Sequence, residues 1–336
     1  MNVCKILNKR LPRNFKRDLL SNLLVMALII VGLSVVTGGA IGNLNIMQTN
    51  AQYQKEDNLE DGSFSMLNIL EKKDIETLKK TCSYFEEQFY KDVKLDKNKT
   101  LRLFENREHV NKIHLDKGAL ATKETEIVLE KHFSEANDYN IGDTININQI
   151  TYEVSGIGSV ADYNYVKKNI SDLSCDTENF SIAFVTKDSF QKFEELSIYH
   201  YAYSLKDNVT NYDLKEKVVD MGVVTQFNVS EDNSRITSYR NDCSLMKNAS
   251  LISGVLFMIL MAYIIAVFTS NTIEREEVVI GTLYSLGVQK LELIRHYMKL
   301  PLLMVFISAI IGLIFGMFGM SDLLASDSVA LYSMPE

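Results

Sequence analysis

Three stretches of this chain carry no charged side chain at all: Leu19–Ile41, Ala249–Ile273 and Leu300–Ser321. Each reaches the roughly 20 residues that a helix needs to cross a hydrocarbon core about 30 Å thick. Within lipid, a helix bonds its backbone amides inside its own segment, so three such windows predict three spanning helices. Overall composition hides them. The 336 residues are 23% charged and 46% apolar, ordinary values for a soluble protein, because the polar stretch 42–247 dilutes the spans.

The distribution of Lys and Arg sets the expected orientation. Lys5, Lys9, Arg10, Arg13, Lys16 and Arg17 precede the first window against one acid, Asp18. A basic flank of this kind stays in the cytoplasm. Region 42–247 holds 25 Lys and Arg against 35 Asp and Glu, a net of −10, and is expected on the far side. The expected plan is therefore a basic amphipathic cytoplasmic segment (1–18), a first span (19–41), an extracytoplasmic domain (42–247) and a second span (249–273). A cytoplasmic segment (274–299), a third span (300–321) and an extracytoplasmic tail (322–336) complete it. The basic segment puts Val3, Ile6, Leu7 and Leu11 at helical spacing among cations, a pattern that lies along anionic lipid. The first window is longer than a signal-peptide core, and no small-x-small site follows it cleanly. The net charge of −8 excludes nucleic acid as an expected partner.

The large domain reads as α+β. Strands are expected at Phe64–Ile69, Phe85–Leu95, Thr100–Phe104, Phe180–Val185, Tyr201–Leu205 and Val223–Val229. Ile145, Ile147, Tyr152 and Val154 alternate around a short turn. Helices are expected at Glu71–Lys80, Lys187–Leu196 and Tyr212–Met221. From Asp232 a helix can run into the second span without a break signal.

No catalytic constellation is visible, and the chain is not read as an enzyme. There is no phosphate loop, and Gly156-Ile-Gly158 opens no helix. His109 and His114 are five residues apart with Glu108 before both, which is not the spacing of a zinc helix. No serine elbow appears. Neither a metal nor a cofactor is expected. Cys82, Cys175 and Cys243 are an odd number on the far side with no close spacing, so any disulfide pairing stays open.

The informative stretch lies between the second and third windows. Asn271 or Thr272 can cap a helix whose first turn holds Glu274, Glu276 and Glu277, favourable at its positive end. Val279, Ile280, Leu283 and Leu286 form an apolar stripe, and Gly287 can end the helix in a left-handed cap. A second amphipathic run follows, with Leu291 and Ile294 among Lys290, Arg295 and Lys299. Pro301 marks a helix start or a kink.

The run Glu274-Arg275 … Ile280-Gly281-Thr282-Leu283 … Leu286-Gly287 resembles the signature of FtsX-like (MacB-like) permeases of ABC transporters. Gly118–Val128, Ile141–Ile145 and Tyr152–Gly156 are similar to the outer domain that these permeases insert after their first span. Val279 stands where the family commonly has an acidic residue. Two spans follow the inserted domain where the family usually has three, which implies the first part of a longer permease, or a fragment.

The resemblance implies a multi-pass subunit of a bacterial plasma membrane, without ATPase activity, that works with a cytoplasmic ABC ATPase and a second permease half or copy. Glu274, Arg275, Glu276, Glu277, Ile280, Gly281, Leu283, Leu286 and Gly287 would then form the ATPase-coupling element. Movement of the outer domain would export or extract an amphiphilic substrate, or transmit force. The rival expectation is a membrane-anchored sensor or regulator whose outer domain binds a ligand or a cell-wall enzyme.

Overall fold

The computed structural model describes residues 11–95 and 98–335, the side chains of 325–329 excepted. The cations and apolar positions expected within residues 1–10 lie outside the described residues. The chain forms two compact units. One takes the chain up to Asn45 together with Cys243–Ser326. The other takes Ile46–Asp242 and the residues from Asp327 on.

The first unit holds the spans. A short helix, α1 (Leu11–Arg17), leads into α2 (Leu19–Glu56). The second span lies in α7 (Ser234–Arg275). The third lies in α9 (Lys290–Phe315), which continues through a wide π-turn at Gly316–Met320 into α10 (Ser321–Leu331). The three long apolar helices run to 38, 42 and 35 residues. At about 1.5 Å per residue the shortest is about 52 Å long, well beyond a hydrocarbon core of about 30 Å. The sequence windows therefore mark only part of each helix: the first part of α2, the last part of α7 and the middle of the third. Pro301 neither starts nor ends α9, which runs straight through it.

Small residues let the spans approach closely, the usual route to cohesion where lipid removes the hydrophobic drive. A Cβ on Gly39 would sit 2.5 Å from Ser250 Oγ, and one on Gly42 would sit 2.6 Å from the Ser321 carbonyl oxygen. Ser34 Oγ lies 2.7 Å from Ile30 O in its own helix and 3.0 Å from Gly312 O across the interface.

The second unit is an α+β domain with two sheets. Its strands are β1 (Gly62–Met66), β2 (Cys82–Glu87), β3 (Tyr90–Lys94), β4 (Thr100–Glu105), β5 (Ile113–Gly118) and β6 (Glu126–Glu130). There follow β7 (Thr144–Ile147), β8 (Ile150–Val160), β9 (Phe180–Val185), β10 (Tyr199–Leu205) and β11 (Val224–Val229). Four helices complete it: α3 (Lys72–Thr81), α4 (Lys131–Ala136), α5 (Lys187–Gln191) and α6 (Asn211–Met221). The smaller sheet has the order β11-β1-β10-β2 and is antiparallel throughout. The larger has the order β3-β4-β9-β6-β8-β5, with β7 also paired to β8. Its pairs β4–β9 and β6–β8 are parallel.

The side-chain period of two splits the larger sheet's core between its faces. Leu101, Leu103, Ile127, Leu129, Ala183 and Val185 pack in one cluster with Phe133 of α4. Phe104, Val128, Ile182 and Phe184 form the other with Tyr163. In the smaller sheet Phe64 stacks on Tyr201 at 5.2 Å, in a cluster with Leu78, Leu214 and Val218 from α3 and α6. Burying each such aliphatic or aromatic side chain contributes about 1.5–3 kcal/mol before entropy is counted.

Two expectations change. Phe85–Leu95 is not one strand: the chain leaves the smaller sheet at Glu87 and joins the larger at Tyr90. Gln88 turns inward there to donate to Val110 O at 2.8 Å, while Phe89 packs on the cores of both sheets. The helix expected at Lys187–Leu196 stops at Gln191.

Within the stretch 322–336 expected as a tail, the described residues run helically to Leu331 and then enter the second unit's interior. Tyr332, Ser333 and Met334 are buried. Ser333 N–H donates to Asn164 O at 2.7 Å, and its hydroxyl donates to Glu130 Oε1 at 2.6 Å. Lys131 Nζ donates to Met334 O at 2.6 Å.

Candidate coupling site

The connection between the second and third spans lies wholly in the first unit. The expected cap at Asn271 or Thr272 does not form. Thr272 is inside α7, where its hydroxyl returns to Phe268 O at 2.9 Å. The break comes at Glu276, whose φ of −107° and ψ of 12° leave the helical region for one residue. From there α8 (Glu277–Ser285) departs with no side-chain cap. Glu274 and Arg275 thus belong to the end of the spanning helix, and only Glu277 opens the short one.

Gly287 ends α8 as expected, with φ +86°. Gly287 N–H donates to Tyr284 O at 3.0 Å and Val288 N–H to Leu283 O at 3.2 Å, the paired bonds of a Schellman motif. Gln289 is extended, and α9 begins at Lys290.

α8 buries none of its residues. Glu274, Arg275, Glu277, Gly281, Leu286 and Gly287 are exposed, while Ile280 and Leu283 are half-buried. Leu286 is 76% exposed. Beside it a shallow apolar groove of about 490 Å³ is lined by Ile273, Ile280, Tyr284, Leu293, Ile294 and Met298, among others.

Glu276 differs from the rest of the signature. It is 3% exposed and accepts from Arg17 Nη1 at 2.9 Å through one oxygen and from Tyr297 Oη at 2.6 Å through the other. Next to it Arg275 Nη1 donates to Asp18 Oδ1 at 3.1 Å. The hydrogen bond to Glu276 raises the Arg17 pKa further above its ordinary value. One knot of charges therefore ties the entry to α2, the end of α7 and the first part of α9. The sequence named Glu276 as part of a docking element. The structure makes it an internal anchor and adds Arg17, Asp18 and Tyr297, which no local spacing could have paired with it.

Among the described residues, then, three long apolar helices, an inserted domain and an anchored helix before the last span make up the chain. Residues 251–334 match the family model described as FtsX-like permease C-terminal. No curated protein matches the chain. Among solved structures it is similar to the periplasmic region of MacB from Actinobacillus actinomycetemcomitans. That match has 13% identity, covers 47% of this chain and 80% of the other, and has a TM-score of 0.31. It is also similar to the extracellular domain of the noncanonic ABC-type transporter YknZ from Gram-positive bacteria, at 12% identity and a TM-score of 0.29, covering 46% and 87%. Scores this low bear on no functional point.

Proposed function

We propose that this chain is the transmembrane subunit of an ABC-type system in a bacterial plasma membrane, with its N-terminus cytoplasmic and its inserted domain outside. In this reading α8 docks on a separate cytoplasmic ATPase, and a second permease half or copy completes the assembly. The observation that carries it is the pairing of an exposed helix with a buried anchor. A helix that buries nothing in its own chain, closed by a rigid turn, offers its apolar positions to a partner groove. Glu276, fixed to Arg17 and Tyr297, passes a push on α8 to the ends of the spans instead of letting the helix float. Because α2 and α7 continue unbroken from the first unit into the second, movement of the spans is carried into the inserted domain. Catalysis belongs to the partner.

The test replaces Leu286 with Asp. The side chain is exposed, so the chain itself has little to lose. In a docked complex the new carboxylate would be desolvated, at about 1–3 kcal/mol or more. Co-purification of the ATPase should fall about tenfold while the permease still inserts in membranes. Unchanged co-purification would remove α8 from the interface.

A further inference from the structure

The second unit contains a polar cleft of about 370 Å³ that the coupling function does not use. Its size falls in the range of roughly 300–1,000 Å³ typical of small-molecule sites. One wall comes from the smaller sheet. Gln226 and Asn228 stand two residues apart on β11, beside Ser63 of β1 and His200 of β10. The other wall is cationic, formed by Arg102 of β4, Lys168 and Arg235 at the start of α7.

The three cations are not equivalent. Arg102 is already neutralised: Nε and Nη2 donate to Asp92 at 2.7 and 2.9 Å, and Nη1 donates to Tyr163 Oη at 2.9 Å. Arg235 has only carbonyl partners, Lys167 O at 2.9 Å and Lys168 O, and its guanidinium lies over the Tyr163 ring at 4.3 Å. Those bonds and the ring hold its plane in place, while its Nη1 bonds to no acceptor among the described residues. Lys168 is exposed and forms no ion pair among the described residues. Lys168 and Arg235 therefore face one cleft with no carboxylate bonded to either among the described residues, Arg235 having only the longer-range attraction of Asp172, in a domain that is acidic as a whole.

The acids at the other end do not offset them. Both oxygens of Asp162 are taken by Arg107, at 2.5 and 3.0 Å. Glu60 is buried, and burial together with Asp162 pushes its pKa up to about 7. The cleft's field shows at His200, whose pKa is driven down to about 3 by burial and then by Arg107, Arg235 and Arg102.

We propose that this cleft binds a small anionic solute through a carboxylate or phosphate head group, received by Arg235 and Lys168, with its polar body against Gln226 and Asn228. A guanidinium offers an oxyanion two donors in fixed geometry, and charge-assisted bonds are the strong ones. The amide row favours a hydrogen-bonding body over an apolar one. The site stands whether or not α8 docks an ATPase, because its readout is binding to this chain alone.

The experiment titrates citrate and, separately, inorganic phosphate into the purified full chain by calorimetry, with chloride as the control. Saturable one-to-one binding of at least one oxyanion is expected, with none for chloride. Arg235→Gln should weaken it about tenfold or more, for loss of a charge-assisted pair. Lys168→Gln should weaken it about fivefold through the loss of one nearby charge. Lys168 is exposed and unpaired, so its variant folds and decides the matter even if Arg235→Gln does not. Lys192→Gln, on a different surface, should bind like wild type. No saturable heat with either oxyanion, or equal weakening by Lys168→Gln and Lys192→Gln, would overturn the proposal.

Discussion

The two units of this chain cohere by opposite means. Between the spans the close contacts are made by what is missing: Gly39, Gly42 and Gly316 leave room for neighbouring backbone and hydroxyl groups, and the exposed apolar surface is left to lipid. The inserted domain fills its space with Tyr, Phe and aliphatic side chains and also buries charge, with Arg107 and Asp162 each about 5% exposed or less. A lipid-embedded unit gains little from burying another leucine, so tight fit is its main resource. A water-soluble domain has the hydrophobic effect to spare and can hold polar machinery inside. Each unit is fragile where its own means of cohesion is removed.

Arg107→Ala should give the largest effect. It strands a buried carboxylate, a class of change that costs about 3–5 kcal/mol. Near-UV circular dichroism in detergent should show the inserted domain melting earlier while helix content persists. A loss under about 1 kcal/mol would mean that the pair does not hold the domain together.

Gly42→Val probes the other unit. Its Cβ would meet the Ser321 carbonyl at 2.6 Å, a backbone atom that cannot step aside cheaply. Overpacking of this kind costs about 2–3 kcal/mol. Denaturant titration should loosen the spans and leave the aromatic signal of the inserted domain in place. Simultaneous loss of both signals would mean that the units unfold as one.

Through Glu60, pH acts on the inserted domain. Folding raises its pKa from 4.5 to about 7 by burial. The stability it lends is therefore complete below about pH 4.5 and is lost as pH rises through about 7, roughly 3 kcal/mol over that window. His200 acts in the opposite sense. Its pKa falls from 6.5 to about 3, so its contribution is complete above pH 6.5 and is lost on acidification. Between pH 6 and pH 8 the wild-type domain should lose stability, and Glu60→Gln should not. An identical fall in the variant would show that Glu60 is not the group responsible.

The smallest effect is expected at Gly287. Nothing lies within 4 Å of the position its Cβ would take, so only the φ of +86° resists substitution. Gly287→Val should cost about 1–2 kcal/mol and Gly287→Asn less. Hydrogen exchange at Gly287 and Val288, whose amides close the cap, should quicken in the order Gly, Asn, Val. Valine exchanging like glycine would mean that the Schellman turn is not needed.

The sequence made some of this legible because the causes are local. Charge-free windows mark spans whatever surrounds them, and Gly287 ends α8 through its own backbone. Ile145, Ile147, Tyr152 and Val154 alternate because a strand has period two, and all four are buried. Other features stayed hidden because their causes are distant. Glu276 reads as one more acid in a helix start until Arg17, 259 residues earlier in the chain, is placed beside it. Thr272 looked like a cap because its hydroxyl can serve either a cap or the preceding turn, and only the unbroken helix decides. The cleft has no motif, since β1, β4, β10, β11 and α7 each lend it side chains that are unremarkable alone.

The burial of Tyr332–Met334 fixes a timetable for assembly. Met334 meets Asn50, 284 residues before it, and Ser333 meets Glu130, 203 residues before it. At about 5–20 residues per second of synthesis, Asn50 emerges roughly 15–60 s ahead of its partner. For roughly 10–40 s after their own synthesis Glu130 and Lys131 lack the serine hydroxyl and the carbonyl that meet them in the finished domain. The sheets can pair as they leave the ribosome, but their interior is sealed last, by residues that arrive only after the third hydrophobic segment has been translated. The inserted domain therefore completes its interior only once the residues after the third hydrophobic segment have been made.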